Sequence, residues 1–132
     1  MTIGDVLAMV DEIQPNTYDE QVKITWLSEL DGRVFNDVIL QYKHDDLLLE
    51  DEEGNKTIEP TFTAYVDDNQ ELLIPDTYAD VYRHYVFAQI AYSNGETDRY
   101  TNSMMFFNAS YQDYTKWYAR THKSFIHPLK LW

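Results

Sequence analysis

Twenty-three carboxylates are the most abundant charged groups in this 132-residue chain, against ten Lys and Arg, four His and no Cys. Two carboxylates held across a cleft make a general acid/base pair, but no spacing here sets any two apart from a solvated acidic surface. A calcium loop is the next chemistry to test, at Asp67-Asp68-Asn69-Gln70-Glu71. The EF-hand pattern needs Gly at its sixth position and Glu at its twelfth. Counting from Asp67 puts Leu72 and Tyr78 there, and placing Gly54 sixth puts Leu49 first. Both fail, which leaves only unspecific divalent-ion binding by the acidic stretch 45–53. His44, His84, His122 and His127 include no i, i+4 pair and no H-E-x-x-H. The five serines lack a G-x-S-x-G setting, and four glycines make no phosphate-cradling loop. Without Cys there is no disulfide framework, zinc ribbon or thiol nucleophile. No catalytic residue, metal site or cofactor is expected, and the chain reads as a non-enzyme.

Charge is unevenly placed. The net charge is −13, yet Lys116 to Trp132 carries Lys116, Arg120, Lys123 and Lys130 and no acid. The first 115 residues therefore carry −17. Such a body is unsuited to gripping a phosphate backbone. The basic end suits an acidic partner, another subunit or nucleic acid, or simply complements a helix dipole. No apolar run reaches the roughly 20 residues of a membrane span. Met1-Thr2-Ile3-Gly4-Asp5 does not read as a signal peptide, so the expectation is a soluble protein made and used in the cytoplasm.

The elements that would position these groups are mainly helical. Ile3, Val6, Leu7, Val10 and Ile13 share one helical face, with Thr2 and Asp5 as a capping pair and Pro15 beyond the end. Thr17-Tyr18-Asp19-Glu20 reads as a capping box for a second helix running to about Ile39, bent near Gly32. Its stripe is Val22, Trp26, Leu30, Val34 and Val38, widened by Leu27 and Phe35. Residues 41–60 are the least helical, with six acids in nine positions from Asp45 to Glu53. Leu47-Leu48-Leu49 would pin that loop as one turn or a short strand. Thr61 to Ile74 alternates with strand period around Asp67-Asp68-Asn69-Gln70 and predicts a β-hairpin.

Pro75 to Lys123 holds eight of the eleven tyrosines, with Trp117 and three phenylalanines. It reads as two antiparallel helices broken at Asn94-Gly95, with Thr77 and Asp80 capping the first. The first shows Tyr78, Val81, Tyr82, Tyr85, Ala88, Gln89 and Tyr92 on one face. The second carries a heptad seam of Tyr100, Met104, Phe107, Tyr111, Tyr114 and Tyr118, expected to be mainly core. Some tyrosines could instead stack on bases or face another chain. Pro128 precludes a regular helix in the tail, which is too apolar to float in solvent. The fold class is thus mainly α: a small bundle of about four helices, with a long C-terminal helical hairpin and one small β-hairpin insertion. The domain would span 1–122, with the acidic loop and β-hairpin at 41–74, and 123–132 would be a C-terminal arm.

The run Leu72-Leu73-Ile74-Pro75-Asp76-Thr77-Tyr78 leads to Tyr82, Tyr85, Ala88-Gln89-Ile90, Tyr92, Asn94-Gly95-Glu96, Arg99-Tyr100 and Asn102-Ser103. Phe107-Asn108, Tyr111, Trp117 and Arg120-Thr121-His122 follow. This pattern resembles the head–tail connector (adaptor, or neck) proteins of tailed phages and prophages. It covers roughly the last 60 residues, plus the order of elements over the chain; the 41–74 region departs from the shortest members. The resemblance implies a structural subunit without enzyme activity or cofactor. It implies a ring, commonly a dodecamer, beneath the portal protein in the virion neck, through whose channel DNA passes and on which the next neck or tail component docks. By the same resemblance the arm is a portal-docking or subunit-embracing element, with Lys123, Phe125, Ile126, Leu129, Lys130, Leu131 and Trp132 as partner-binding residues. Three other roles remain open. They are a phage tail-completion or terminator protein, a small enzyme or ligand-binding module using the Tyr-rich groove, and an acidic DNA-mimic-like module that binds basic proteins.

Overall fold

The computed structural model describes residues 1–41, 48–50, 56–58 and 62–122, with only the backbone of 48–50 and 56–58. The described chain is mainly helical, with four α-helices: α1 (Ile3–Ile13), α2 (Glu20–Asp37), α3 (Asp80–Ser93) and α4 (Thr97–Thr121). Helix α1 starts as its sequence dictates. The Thr2 hydroxyl accepts the Asp5 amide and the Asp5 carboxylate accepts the Thr2 amide, a complete capping box. Those two bonds also hold the Asp5 carboxyl below its usual range. Ile3, Val6, Leu7 and Val10 are buried, and Ile13 is left outside.

Helix α2 departs from expectation at its start and in part at its face. Asp19, not Thr17, caps it, its side chain accepting the Gln21 amide. The α-helix ends at Asp37 and a 3-10 turn follows over Ile39–Gln41. The buried row is Ile24, Leu27, Ser28, Leu30, Asp31, Val34 and Phe35, together with Lys23, while Val22 is exposed. Leu27, Leu30, Val34, Phe35 and Val38 of the expected stripe are buried, and the face is widened toward Lys23, Ile24, Ser28 and Asp31, so that one acid and one lysine of the chain lie inside. At Gly32 the ring of Phe62 closes on the helix, and a Cβ there would meet Cδ1 of Phe62 at 3.3 Å.

The β-hairpin expected over Thr61–Ile74 is not formed. Residues 62–66 are irregular, a turn lies at 67–70, and the returning segment bonds elsewhere. Ile3 and Gly4 amides reach the carbonyls of Gln70 and Asp68, and the Leu72 amide reaches the Met1 carbonyl. Glu71 thus bridges Thr2, not the 62–66 stretch. Other amides are taken by side chains: Tyr65 N–H by Ser28, Val66 N–H by Gln70, and Leu73 N–H by Asp31. Separately, two three-residue segments, Leu48–Glu50 and Lys56–Ile58, pair antiparallel.

A 3-10 turn at Asp76–Tyr78 leads into α3, whose N-cap is Ala79 without a side-chain cap; the Thr77–Asp80 capping pair does not form. Helices α3 and α4 are joined by a Schellman turn. The Glu96 amide bonds the Ala91 carbonyl and the Gly95 amide that of Tyr92, with Gly95 at φ 74°. The pairing of rings shows the antiparallel order. Tyr92 meets Tyr100, Tyr85 meets Phe107, and Tyr78 meets Tyr114 and Trp117. Of the expected α4 seam, Tyr114 and Tyr118 are buried, whereas Tyr100, Met104, Phe107 and Tyr111 are half-buried. On α3, Val81, Tyr82, Tyr85, Val86, Ala88, Ile90 and Ala91 are buried, and Tyr92 turns out to solvent.

Candidate functional site

A carboxylate sits at the centre of the core. Helix α2 carries Asp31 between Leu27 and Val34 on its buried row, with no exposed surface. Its two oxygens receive three donors. Tyr82 O–H donates to Oδ1 at 2.6 Å; Tyr65 O–H and the Leu73 amide donate to Oδ2 at 2.6 and 3.0 Å. The Tyr82 oxygen in turn accepts the Ile74 amide at 2.8 Å. Burial raises the Asp31 carboxyl above its usual range, and the bonds from Tyr65, Tyr82 and Leu73 pull the other way without cancelling it. Burial and the facing carboxylate push both phenols far above the usual tyrosine range. Three sequence-distant elements, α2, the 65–74 segment and α3, therefore converge on one side chain. The phenols stay protonated and the carboxylate's lone pairs are directed at fixed donors, so the cluster works as a strut and has no open position for a substrate.

A second polar recess, of about 500 Å³, lies between α1 and α2. Lys23 Nζ donates to both Asp11 oxygens at 2.9 and 3.2 Å and to Asn16 Oδ1 at 3.2 Å. All three ammonium hydrogens are engaged, which removes it as a nucleophile. Across the recess the facing Asp68 carboxyl raises the Glu20 carboxyl above its usual range. Asn16, which also bonds Asp11, and Tyr18, whose hydroxyl bonds Asn94, tie the α1–α2 link to the hairpin turn.

The surface offers an apolar groove instead of a reactive centre. Ile13, Gln14, Phe87, Ala91, Arg99, Asn102 and Ser103 line a depression of about 330 Å³ between the end of α1 and the outer edge of α4. Phe106, one helical turn from Asn102 and Ser103 on α4, is stacked on His84 at 5.4 Å between ring centroids. Ile13 and Phe106 are 59% and 56% exposed, and Met105 beside them is 63% exposed, large for apolar side chains. Burial and the neighbouring Arg83 charge lower the His84 imidazole below its ordinary value, so it is a neutral stacking partner at physiological pH. His122 stacks flat on Tyr118 at 3.7 Å, where α4 ends.

The expected partner residues Lys123, Phe125, Ile126, Leu129, Lys130, Leu131 and Trp132 lie outside the described residues, as do Asp45, Asp46, Asp51, Glu52 and Glu53 of the acidic stretch and His44 and His127. Asp67 and Asp68, tested as a calcium loop, instead shape the turn that receives α1: Asp67 accepts the Asn69 amide and the Asp68 carbonyl accepts Gly4. Among the described residues no cluster of His, Asp and Glu could hold a metal ion, and no helix is long and apolar enough to cross a membrane. Sequence reading passed over Asp31. The available signal was a lone carboxylate four residues from both Leu27 and Phe35, inside an apolar row. No known family, curated protein or solved structure matches this chain.

Proposed function

We propose that this chain is a structural subunit of the neck of a tailed phage or prophage, a head–tail connector that forms a ring beneath the portal and links capsid to tail. The observation that carries the reading is the resemblance over Leu72 to His122. The residues that make it are those that build one continuous unit: the Pro75 entrance, the Tyr82 strut, the Asn94-Gly95 turn and the long α4. That unit is a rigid stem of 25 residues in α4 alone, about 37 Å at 1.5 Å per residue. It ends where the basic, apolar segment 123–132 begins. On this reading the segment docks on the portal or a neighbouring subunit, and the acidic body lines a channel that DNA slides through without being gripped. No enzyme activity or cofactor is assigned.

The test is the mass of the purified protein, alone and with portal, followed by imaging of the mixture. A ring of copies seated on the portal is expected. A protein that stays monomeric and never decorates portal rings removes the reading. A tail-completion or terminator role would show instead as binding to the tail end in imaged virions. The charge of −17 over the first 115 residues favours one further alternative, a DNA-mimic-like module. It predicts capture of a basic DNA-binding protein, lost as salt is raised.

A further inference from the structure

The groove between α1 and α4 has exposed apolar walls, and the page also holds a segment of matching chemistry and reach. We propose that residues 123–132 of the same chain fold back along the outer edge of α4, past Phe106, and seat their apolar side chains in the groove lined by Ile13, Phe87, Ala91, Arg99 and Ser103.

Reach is the first argument. Sixteen residues of α4 separate Phe106 from His122, about 24 Å at 1.5 Å per residue. Seven extended residues span at most about 25 Å, which brings Leu129 level with Phe106. Ten span about 33–36 Å, which brings Trp132 level with Asn102 and Arg99. His122 already leaves the helix with extended dihedrals, φ −130° and ψ 147°, and Pro128 favours an extended chain over a helix. In such a chain Leu129 and Leu131 share one face and meet Phe106 and the groove together.

Charge is the second argument. The last turn of α1 carries Glu12 and Asp11, the latter engaged by Lys23, and no basic residue, at the negative end of a helix dipole, while Arg99 on the groove's α4 wall is engaged by Glu96. Lys123 and Lys130 are the charged residues of the segment, which has no acid. Tethering gives the segment an effective concentration in the millimolar range at its own groove, ahead of any second copy at dilute concentration. The inference concerns the free protein; on the connector reading the segment leaves this groove when it docks on the portal, and failure here leaves that reading standing because the test uses the protein alone.

The chain has no Cys, so pairs can be introduced cleanly. Ser103→Cys with Leu131→Cys places thiols in the groove and on the segment. Thr101→Cys with Leu131→Cys is the control, at the same height of α4 on an exposed position away from the groove. A disulfide needs the two Cα atoms within about 7 Å. Under mild oxidation of dilute protein, the 103/131 pair is expected to close within the monomer at least ~10-fold faster than the 101/131 pair. Adding Phe106→Asp to the 103/131 pair should bring its rate down to the control. Equal rates for the two pairs would overturn the proposal. So would covalent dimers as the main 103/131 product, which would place the segment on a second copy.

Discussion

Asp31 shows how a single charged side chain organises a small core. Its carboxylate replaces water with three donors from two phenols and one amide, and none of them is a cation. Asp31→Asn keeps the shape but turns an NH2 toward one oxygen's donors. If it faces Tyr65 and Leu73, the phenol can turn to accept but the Leu73 amide is orphaned. A buried unmet donor costs about 1–3 kcal/mol, and denaturant unfolding of the variant should show a loss of that order. The pH dependence has a definite sign. The folded-state pKa of Asp31 is raised, so folding takes up a proton between 3.8 and the folded value. Its contribution to stability is therefore largest below 3.8 and declines as pH rises through the folded pKa. The gap between wild type and Asp31→Asn should be wider in acid than at neutrality; a gap that widens toward neutrality would show the carboxylate to be favoured by the fold. Tyr82→Phe strips a donor from Asp31 and an acceptor from the Ile74 amide at once, and should cost about 1–3 kcal/mol. The apolar residues of α2 were legible because periodicity reports a face. Asp31 was not, because its partners lie 34 to 51 residues away.

At the scale of elements, what the sequence revealed depended on whether the deciding bonds were local. The Thr2–Asp5 box and the Asn94-Gly95 turn involve neighbours within a few residues, and both are where their residue types place them. The alternation over 61–74 satisfied strand period, but its amides found partners on Met1, Asp31 and Tyr82 instead of on a facing strand. Long-range bonds outcompeted a two-stranded hairpin that is marginal alone. Two glycines test the local side. Gly95 sits at φ 74° with nothing within 4 Å of a built Cβ, so Gly95→Ala bears only the left-handed penalty, about 1–2 kcal/mol, and Gly95→Asn bears less. Thermal melts of the two variants should rank in that order below wild type. Gly32 is the opposite case, with normal helical backbone but a 3.3 Å approach to Phe62. Phe62 is half-buried on an irregular segment and can shift by a few tenths of an ångström. Gly32→Ala should therefore gain up to about 1 kcal/mol from helix propensity, whereas Gly32→Val should lose stability by pushing the ring off α2.

For the whole molecule the dominant field is its own negative charge. With −13 spread over 132 residues, each acid is repelled by many others, and the compact state concentrates that repulsion. The ion pairs that oppose it are few among the described residues: the Met1 amino group with Glu71 and Asp76, Lys23 with Asp11, Arg83 with Asp80, and Arg99 with Glu96. Exposed pairs are worth about 0–1 kcal/mol each; the Lys23 side chain is well covered, at 6% exposure, but its Asp11 partner is 47% exposed. Salt screens both kinds of interaction, but repulsion acts over longer distances and through more pairs. The Debye length falls from about 30 Å at 0.01 M to about 10 Å at 0.1 M, so the long-range repulsion is lost first and the contact pairs survive. The melting temperature should therefore rise as sodium chloride is increased from about 0.01 M to 0.1 M, and sodium and potassium chloride should act alike. A fall in Tm over that range would show that the ion pairs outweigh the repulsion. The same field bears on assembly. Bringing copies of charge −13 together costs repulsion at every interface, so a ring should form more readily at moderate salt than at low salt. A DNA-mimic-like module bound to a basic protein should respond in the opposite direction, and a salt titration of the purified protein with portal separates the two.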